Sequence, residues 1–168
     1  MGHMGPDAIG HDAASPGADY RACVVLRHDL PDGTWHYDLM LELRPGIDQD
    51  FRLATLRLTP AAAGQRALTL ASGVDLDPQA PCQHLPDHRG LYLAYEGALS
   101  NNRGSVRRVA QGLCLIQRCD AEIILARLNL GAGWIQLNAA RLSAAGQEGR
   151  SDQSPMSLTV SPSASTLG

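Results

Sequence analysis

The clearest alternation of apolar and polar residues lies in residues 21–43, which read R-A-C-V-V-L-R-H-D-L-P-D-G-T-W-H-Y-D-L-M-L-E-L. The P-D-G turn formers at positions 31–33 separate two runs rich in apolar, β-branched and aromatic residues, so the pattern predicts a β-hairpin. Successive side chains of a strand point to opposite faces. His36 and Asp38 are therefore expected on one face, together with Met40 and Glu42. The other face is apolar or aromatic, with Tyr37, Leu39, Leu41 and Leu43.

A candidate metal site follows from the end of the first predicted strand. His28 is in phase with the apolar residues of that strand, and pairing across the turn would bring its imidazole beside His36 and Asp38. Two imidazoles and a carboxylate suit a divalent transition metal, and three protein ligands leave positions open for water and substrate. The spacing of His36 and Asp38 fits equally well with an exposed polar strand face that binds no metal, in which case His28 merely ends the first strand.

The remaining pattern predicts further short strands rather than helices. Strand-like runs occupy residues 51–58, 91–99, 105–118, 122–130 and 133–142, whereas residues 73–86 are irregular in pattern. Strands at turn-punctuated intervals without a long amphipathic helix are typical of a closed or nearly closed β-barrel. The predicted fold class is therefore mainly β, a compact single-domain β-barrel.

The predicted barrel domain covers residues 20–142, and both flanks differ from it in composition. Residues 1–19, which open with the cloning-remnant-like M-G-H-M, are expected to form a flexible leader. Residues 143–168 are rich in Ser, Gly, Pro and Ala and are expected to form a disordered tail.

Composition agrees with one small β-rich domain. The chain has 168 residues, 44% of them hydrophobic and 18% charged, with 17 Gly and a single Phe, which indicates an aliphatic core. The four cysteines match no zinc-binding spacing, so buried thiols in a reducing cytoplasm are expected. No signal-peptide pattern or membrane-spanning apolar run is present, which predicts a soluble, cytoplasmic protein without a membrane partner.

Charge limits the partners that the chain can bind. The net charge is −3, and all 14 basic residues are arginines. A negative net charge argues against sequence-independent binding to long duplex DNA, because the affinity of such binding comes mainly from phosphate neutralisation. Arg103, Arg107 and Arg108 could still form a local phosphate-binding patch, because guanidinium groups bind phosphate in a planar fork. A solvated loop and strand edge is the simpler interpretation.

Two motifs resemble a known family. The H-D, short turn and H-Y-D-L-x-L-E of residues 28–42 look like the signature of the 3′-phosphoesterase domain of bacterial DNA ligase D and its stand-alone relatives. The D-H-R-G-L-Y-L-A-Y-E-G of residues 87–97 is similar to the second motif of that family. A weaker third similarity is the G-A-G-W-I-Q-L of residues 131–137. The resemblance extends over residues 20–142.

The resemblance implies a β-barrel with its site in a crescent-shaped groove. It further implies an enzyme dependent on Mn²⁺, or on another divalent transition metal, that removes a 3′-terminal ribonucleoside or a 3′-phosphate during DNA repair. The implied partners are DNA or RNA/DNA 3′ ends and a DNA ligase or polymerase. The implied metal ligands are His28, His36 and Asp38. The implied catalytic residues are His88 as proton donor, Tyr92 as a hydrogen-bond donor to the phosphate, and Arg57 as a charge facing the phosphate.

The chain also departs from the family pattern. Met40 stands where the motif carries an arginine that contacts the phosphate, and a thioether cannot replace a guanidinium. The turn after His28 is two residues longer than in the ligase-linked members, and the charged N-terminal arm has no counterpart. The alternative function is therefore a catalytically weakened or inactive barrel that binds nucleic-acid ends or a repair partner. A monomer is expected in either case.

Overall fold

The predicted hairpin opens the fold. In the computed structural model, which describes residues 18–43, 52–142 and 155–163, β1 (Arg21–Asp29) and β2 (Trp35–Glu42) pair in antiparallel register. Leu26 lies opposite Asp38, and His28 lies opposite His36. Gly33 adopts a φ of 84° in the connecting turn, a conformation that glycine takes without steric cost.

Further antiparallel strands close the hairpin into a barrel. The strands that follow in the described ranges are β3 (Arg52–Leu58), β4 (Leu68–Ala71), β5 (Val74–Leu76), β6 (Cys82–Arg89), β7 (Gly97–Ala98), β8 (Ser105–Cys119), β9 (Ile123–Asn129), β10 (Trp134–Arg141) and β11 (Pro155–Pro162). Eight strands pair in the circular order β1-β2-β3-β6-β11-β10-β9-β8, and β8 pairs back with β1. The β4–β5 hairpin forms a separate small sheet, and β7 is a two-residue addition to β8.

Two apolar clusters occupy opposite faces of the β1–β2 hairpin. The larger one includes Leu39 and Leu41 together with buried residues of β3, β9 and β10, and is the main core. The smaller one packs Met40 against neighbours on the opposite face, namely Val24, Leu26, Leu53 and Val106, with Tyr92, Leu93 and Leu99 beside them. Because both faces of β2 are covered, side chains on the second face, including His36 and Asp38, are buried as well.

Two local predictions for the chain around the second motif are corrected by the structure. Residues 73–86 are predicted to be irregular, but they contain β5 and the start of β6, and Pro86 lies within β6. The pattern predicts a strand over residues 91–99, but a 3-10 helix, Gly90–Leu93, covers the first three of these residues. The amides of Ala94 and Tyr95 both donate to the carbonyl of Leu91, at 3.1 and 3.0 Å. This turn carries the second motif across the smaller apolar cluster.

The prediction of a disordered tail is wrong for residues 155–163. Residues 155–162 form β11, which pairs with β10 over seven residue pairs and with β6 through Pro155 and Met156. Apolar Met156, Leu158 and Val160 alternate with Ser and Thr, and Met156 is buried in the main core. The barrel domain therefore extends beyond residue 142. Residues 143–154 and 164–168 of the predicted tail, and residues 1–17 of the predicted leader, lie outside the described part of the chain.

Truncation after Leu142 is expected to destabilise the barrel strongly. It would remove β11, the strand that pairs with both β10 and β6, and so open the barrel between those two strands. It would also leave a gap where Met156, 1% exposed, fills the core. Loss of a buried Met side chain alone costs about 2–5 kcal/mol. Urea unfolding monitored by circular dichroism should show a lower midpoint for the chain ending at 142 than for a control ending at 163. Equal midpoints would contradict a structural role for β11.

The prediction of buried thiols is confirmed for three of the four cysteines. All four are free thiols, with Cys23, Cys82 and Cys114 buried. Burial raises the pKa of the Cys82 thiol to about 11, so it stays protonated near neutral pH. Within the described ranges, no helix is long and apolar enough to cross a membrane.

Candidate metal and phosphate site

The predicted meeting of His28, His36 and Asp38 is confirmed by the geometry. Their potential ligand atoms all lie within 4.8 Å of one another. Asp38 Oδ2 is 3.7 Å from His28 Nδ1 and 3.4 Å from His36 Nε2. The cluster arises because His28 and His36 are cross-strand partners, while Asp38 lies two residues further along the same face of β2.

The three side chains fit a divalent cation. Distances of 3.4 and 3.7 Å are too long for good hydrogen bonds. They are close to the separation expected of two ligands that each lie about 2.1 Å from one ion. Among the described residues, His36 Nε2 and Asp38 Oδ1 are buried without a hydrogen-bond partner. Buried polar atoms without partners are rare, and a bound ion is one explanation for them. Neutral imidazole and carboxylate together suit manganese, iron or zinc.

A turn residue that lay outside the predicted metal site orients His28. The backbone carbonyl of Arg103 lies 2.7 Å from His28 Nε2. Because a carbonyl only accepts hydrogen bonds, Nε2 carries the proton, and Nδ1 is left to face Asp38. In the neutral ring, Nδ1 therefore has a lone pair available for a metal. Such a hydrogen bond to the second ring nitrogen commonly fixes both tautomer and ring orientation in metal sites.

Gly104 allows this turn to approach β1 closely. A Cβ at this position would lie 1.9 Å from the carbonyl oxygen of Asp29, and Gly104 has a φ of 91°. Asn101 and Asn102 in the same turn also have positive φ, at 59° and 50°. The N-N-R-G pattern suits these left-handed conformations, because asparagine and glycine adopt them at low cost. What the pattern did not indicate is that the turn packs against the strand that carries His28.

Electrostatics in the cluster favour an ionised carboxylate. Burial by itself would raise the pKa of Asp38, but the nearby imidazoles of His28 and His36 and the Arg57 guanidinium hold that pKa well below its usual value. The same interaction with Asp38 raises the pKa of His28, with the Arg103 carbonyl acting in the same direction against the effect of burial. The site thus concentrates negative charge on one buried carboxylate, as a cation site requires.

The predicted catalytic histidine and tyrosine lie beside this cluster. His88 Nδ1 is 3.0 Å from the carbonyl oxygen of Pro86, so Nδ1 carries a proton and Nε2 is the nitrogen that can exchange one. The rings of His88 and Tyr92 are in edge contact, with their centroids 5.7 Å apart. Tyr92 comes from the 3-10 helix, and His88 from the end of β6.

Arg57 lies on the other side of Asp38. Its Nε is buried 3.8 Å from Asp38 Oδ1, whereas the side chain as a whole is 40% exposed. Cross-strand pairing of Arg57 with Asp38 places it there. Met40 lies next to Asp38 on the same face of β2 and is 2% exposed. The thioether contributes packing to the smaller apolar cluster and no charge.

The three clustered arginines do not form one patch. Arg103 lies at the site, where its guanidinium donates to the carbonyl and hydroxyl oxygens of Ser100. Arg108 donates from Nη1 to the Leu93 carbonyl, and its backbone amide donates to Glu96 Oε1 at 2.6 Å. Arg107 lies in β8 between Val106 and Arg108, so its side chain points to the opposite face. Of these three arginines, only Arg103 remains a candidate for contact with a ligand at this site.

Most of these side chains line one pocket of about 270 Å³. Five of the six predicted site residues line it, namely His28, Asp38, Arg57, His88 and Tyr92. Leu30, Met40, Leu99, Arg103 and Val106 complete the lining. The sixth residue, His36, lies directly beneath, against Asp38. A larger cleft of about 490 Å³ beside the β4–β5 hairpin is lined by Gln65, Arg66, Asp77 and neighbours, and it contains no histidine.

Comparison with known proteins adds no assignment, because no protein-family model matches the chain and no curated protein matches it.

Proposed function

We propose that the protein is a metal-dependent phosphoesterase that processes 3′ ends of DNA during repair. The observation that carries this proposal is the joint placement of a two-histidine, one-carboxylate cluster and of Arg57, His88 and Tyr92 around one pocket. Residues that bind a cation therefore lie beside residues that can bind a phosphate and move a proton. The resemblance of both motifs to the 3′-phosphoesterase domain of DNA ligase D supports the choice of substrate.

The residues of the chain would divide the work as follows. His28, His36 and Asp38 hold the cation, for which Mn²⁺ is the proposed ion. When bound, it supplies Lewis-acid activation of the phosphoryl group and of the attacking water. The partly exposed Arg57 side chain binds phosphoryl oxygens and offsets the charge that develops on them. Tyr92 donates a hydrogen bond to the same group.

His88 is the proposed proton donor. Its Nδ1 proton is held by the Pro86 carbonyl, which leaves Nε2 to pass a proton to the departing oxygen. In the overall reaction a water oxygen forms a bond to phosphorus while the bond to the leaving oxygen breaks. A 3′-phosphate yields a 3′-hydroxyl and inorganic phosphate, and a 3′-terminal ribonucleoside is released from its phosphodiester.

The decisive experiment measures hydrolysis of two primer-template substrates, one with a single 3′-terminal ribonucleotide and one with a 3′-phosphate, in the presence of Mn²⁺. We expect product with the wild-type protein and a loss of at least about 100-fold in the His36→Ala and His88→Ala variants. His84→Ala is the matched control, because His84 lies on the same strand as His88 but does not line the pocket. A wild-type protein that is silent on both substrates would refute the proposal.

A specific observation favours a second candidate function. Met40 is buried next to Asp38, at the side of the pocket where a further cationic side chain would contact a phosphate. A pocket with fewer charge-assisted contacts to phosphate could retain binding while catalysing slowly. Calorimetry that shows Mn²⁺ binding by a hydrolytically silent wild-type protein would support this alternative, a barrel that binds nucleic-acid ends or a repair partner.

A further inference from the structure

An aromatic residue that the proposed mechanism does not use continues the pocket toward solvent. The ring of Tyr95 is in edge contact with that of Tyr92, with centroids 6.1 Å apart, and Tyr92 in turn contacts His88. Tyr95 is 38% exposed and is the only aromatic among the large hydrophobic residues exposed in the described part of the chain. The three rings therefore form a continuous series from the pocket to the surface.

Tyr95 is held in place rather than free to rotate. Its hydroxyl donates a hydrogen bond to the carbonyl of Ala98, and its backbone amide donates to the carbonyl of Leu91 at 3.0 Å. The next residue, Glu96, accepts a hydrogen bond from the amide of Arg108, and its carboxylate faces the Arg108 guanidinium at 3.8 Å. Anchored in this way, the ring loses little conformational entropy when a planar group stacks on it.

We infer that Tyr95 is a stacking surface for the nucleobase at the 3′ end, and that the substrate is an end whose last base is unpaired. This inference rests on the proposed function, because it assumes that the adjoining phosphate occupies the pocket. Aromatic side chains stack nucleobases of any sequence, since every base has a π-face. A base that stacks on the protein has left its own helix, which favours a frayed or single-stranded terminal nucleotide over a paired one.

The test compares Tyr95→Ala, Tyr95→Phe and wild type on primer-templates whose 3′-terminal ribonucleotide is either mismatched or paired. Wild type should prefer the mismatched end. Tyr95→Ala should raise KM about 10-fold on that end with little change in kcat. Tyr95→Phe keeps the ring but loses the hydroxyl bond to Ala98, so it should raise KM much less than Tyr95→Ala does. Leu113→Ala is the matched control, since Leu113 is also exposed and lies away from the pocket. An unchanged KM in Tyr95→Ala would overturn the inference while leaving the phosphoesterase proposal intact.

A second readout does not depend on turnover. An oligonucleotide with 2-aminopurine as its 3′-terminal base, mixed with protein in EDTA, should lose fluorescence on binding to wild type and to Tyr95→Phe. Tyr95→Ala should bind more weakly and quench less. Equal affinity and equal quenching for all three proteins would overturn the stacking role. Stacking without any hydrolysis of the substrates above would instead reject the phosphoesterase proposal alone.

Discussion

Asp38→Asn is expected to weaken Mn²⁺ binding by at least about 100-fold and to reduce metal-dependent hydrolysis by a similar factor or more. The carboxylate is the one negative charge in the cluster, its side chain is 5% exposed, and both imidazoles face its Oδ2 atom. Asparagine has nearly the same shape but no charge, so the cation would lose its main electrostatic partner. Isothermal titration with Mn²⁺ and the rate of 3′-end hydrolysis measure the two effects.

Glu42→Gln is the matched control for this substitution. Glu42 is a second buried carboxylate on the same face of β2, and its Oε2 accepts a hydrogen bond from the Ala22 amide at 2.8 Å. A glutamine oxygen can accept the same bond, so metal affinity should stay within a factor of about two of wild type. If both variants bind Mn²⁺ like wild type and unfold at the same urea concentration, Asp38 is not a ligand. Loss of binding in both variants would point to a general effect of buried charge.

Gly104→Ala is expected to impair metal binding from a distance. The added Cβ would lie 1.9 Å from the Asp29 carbonyl oxygen, which is a contact with backbone and cannot be relieved by moving a side chain. The turn must therefore shift, and the Arg103 carbonyl would lose its 2.7 Å contact with His28. Loss of such an orienting partner typically costs 10- to 100-fold in metal affinity. Titration calorimetry with Mn²⁺ is the direct measurement.

Gly131→Ala separates this effect from simple backbone strain. Gly131 has a φ of 107°, comparable to Gly104, but a Cβ there would meet nothing within 4 Å. Both variants should lose about 1 kcal/mol or more of stability, because a side chain is unfavourable at positive φ. Only Gly104→Ala should also lose metal affinity. Wild-type affinity in Gly104→Ala, with the expected loss of stability, would show that the turn does not position His28.

The local residue pattern was sufficient to predict the β1–β2 hairpin that carries His28, His36 and Asp38. The P-D-G turn and the period-two alternation set the register in which His28 faces His36, since a shift of one residue would move Asp38 to the other face. Arg57 lies beside Asp38 because β3 pairs with β2, but its assignment to the site came from the resemblance. The placement of His88 and Tyr92 near the cluster came from the resemblance, and their catalytic roles remain predictions.

The strand β11 lies in a region whose composition is typical of disorder. The Ser, Gly, Pro and Ala content of residues 143–168 predicts a disordered tail, yet Met156, Leu158 and Val160 follow the period of a strand. Their stability comes from pairing with β10 and from burial of Met156, which are contacts with distant parts of the chain. The 3-10 helix at Gly90–Leu93 replaces the start of a predicted strand, because a short apolar run fits either element.

The strand alternation, the hairpin turn and the meeting of His28, His36 and Asp38 can be predicted from the chain alone, because each depends on side-chain period and on residues close in the chain. The groups that surround this cluster depend instead on contacts between distant parts of the chain. Arg103 contacts His28 across 75 residues of chain, and Tyr95 contacts Tyr92, which lines the pocket. Barrel closure and the packing of the segments that carry Arg103 and Tyr95 fix these contacts, and neither leaves a local pattern in the residues that make them.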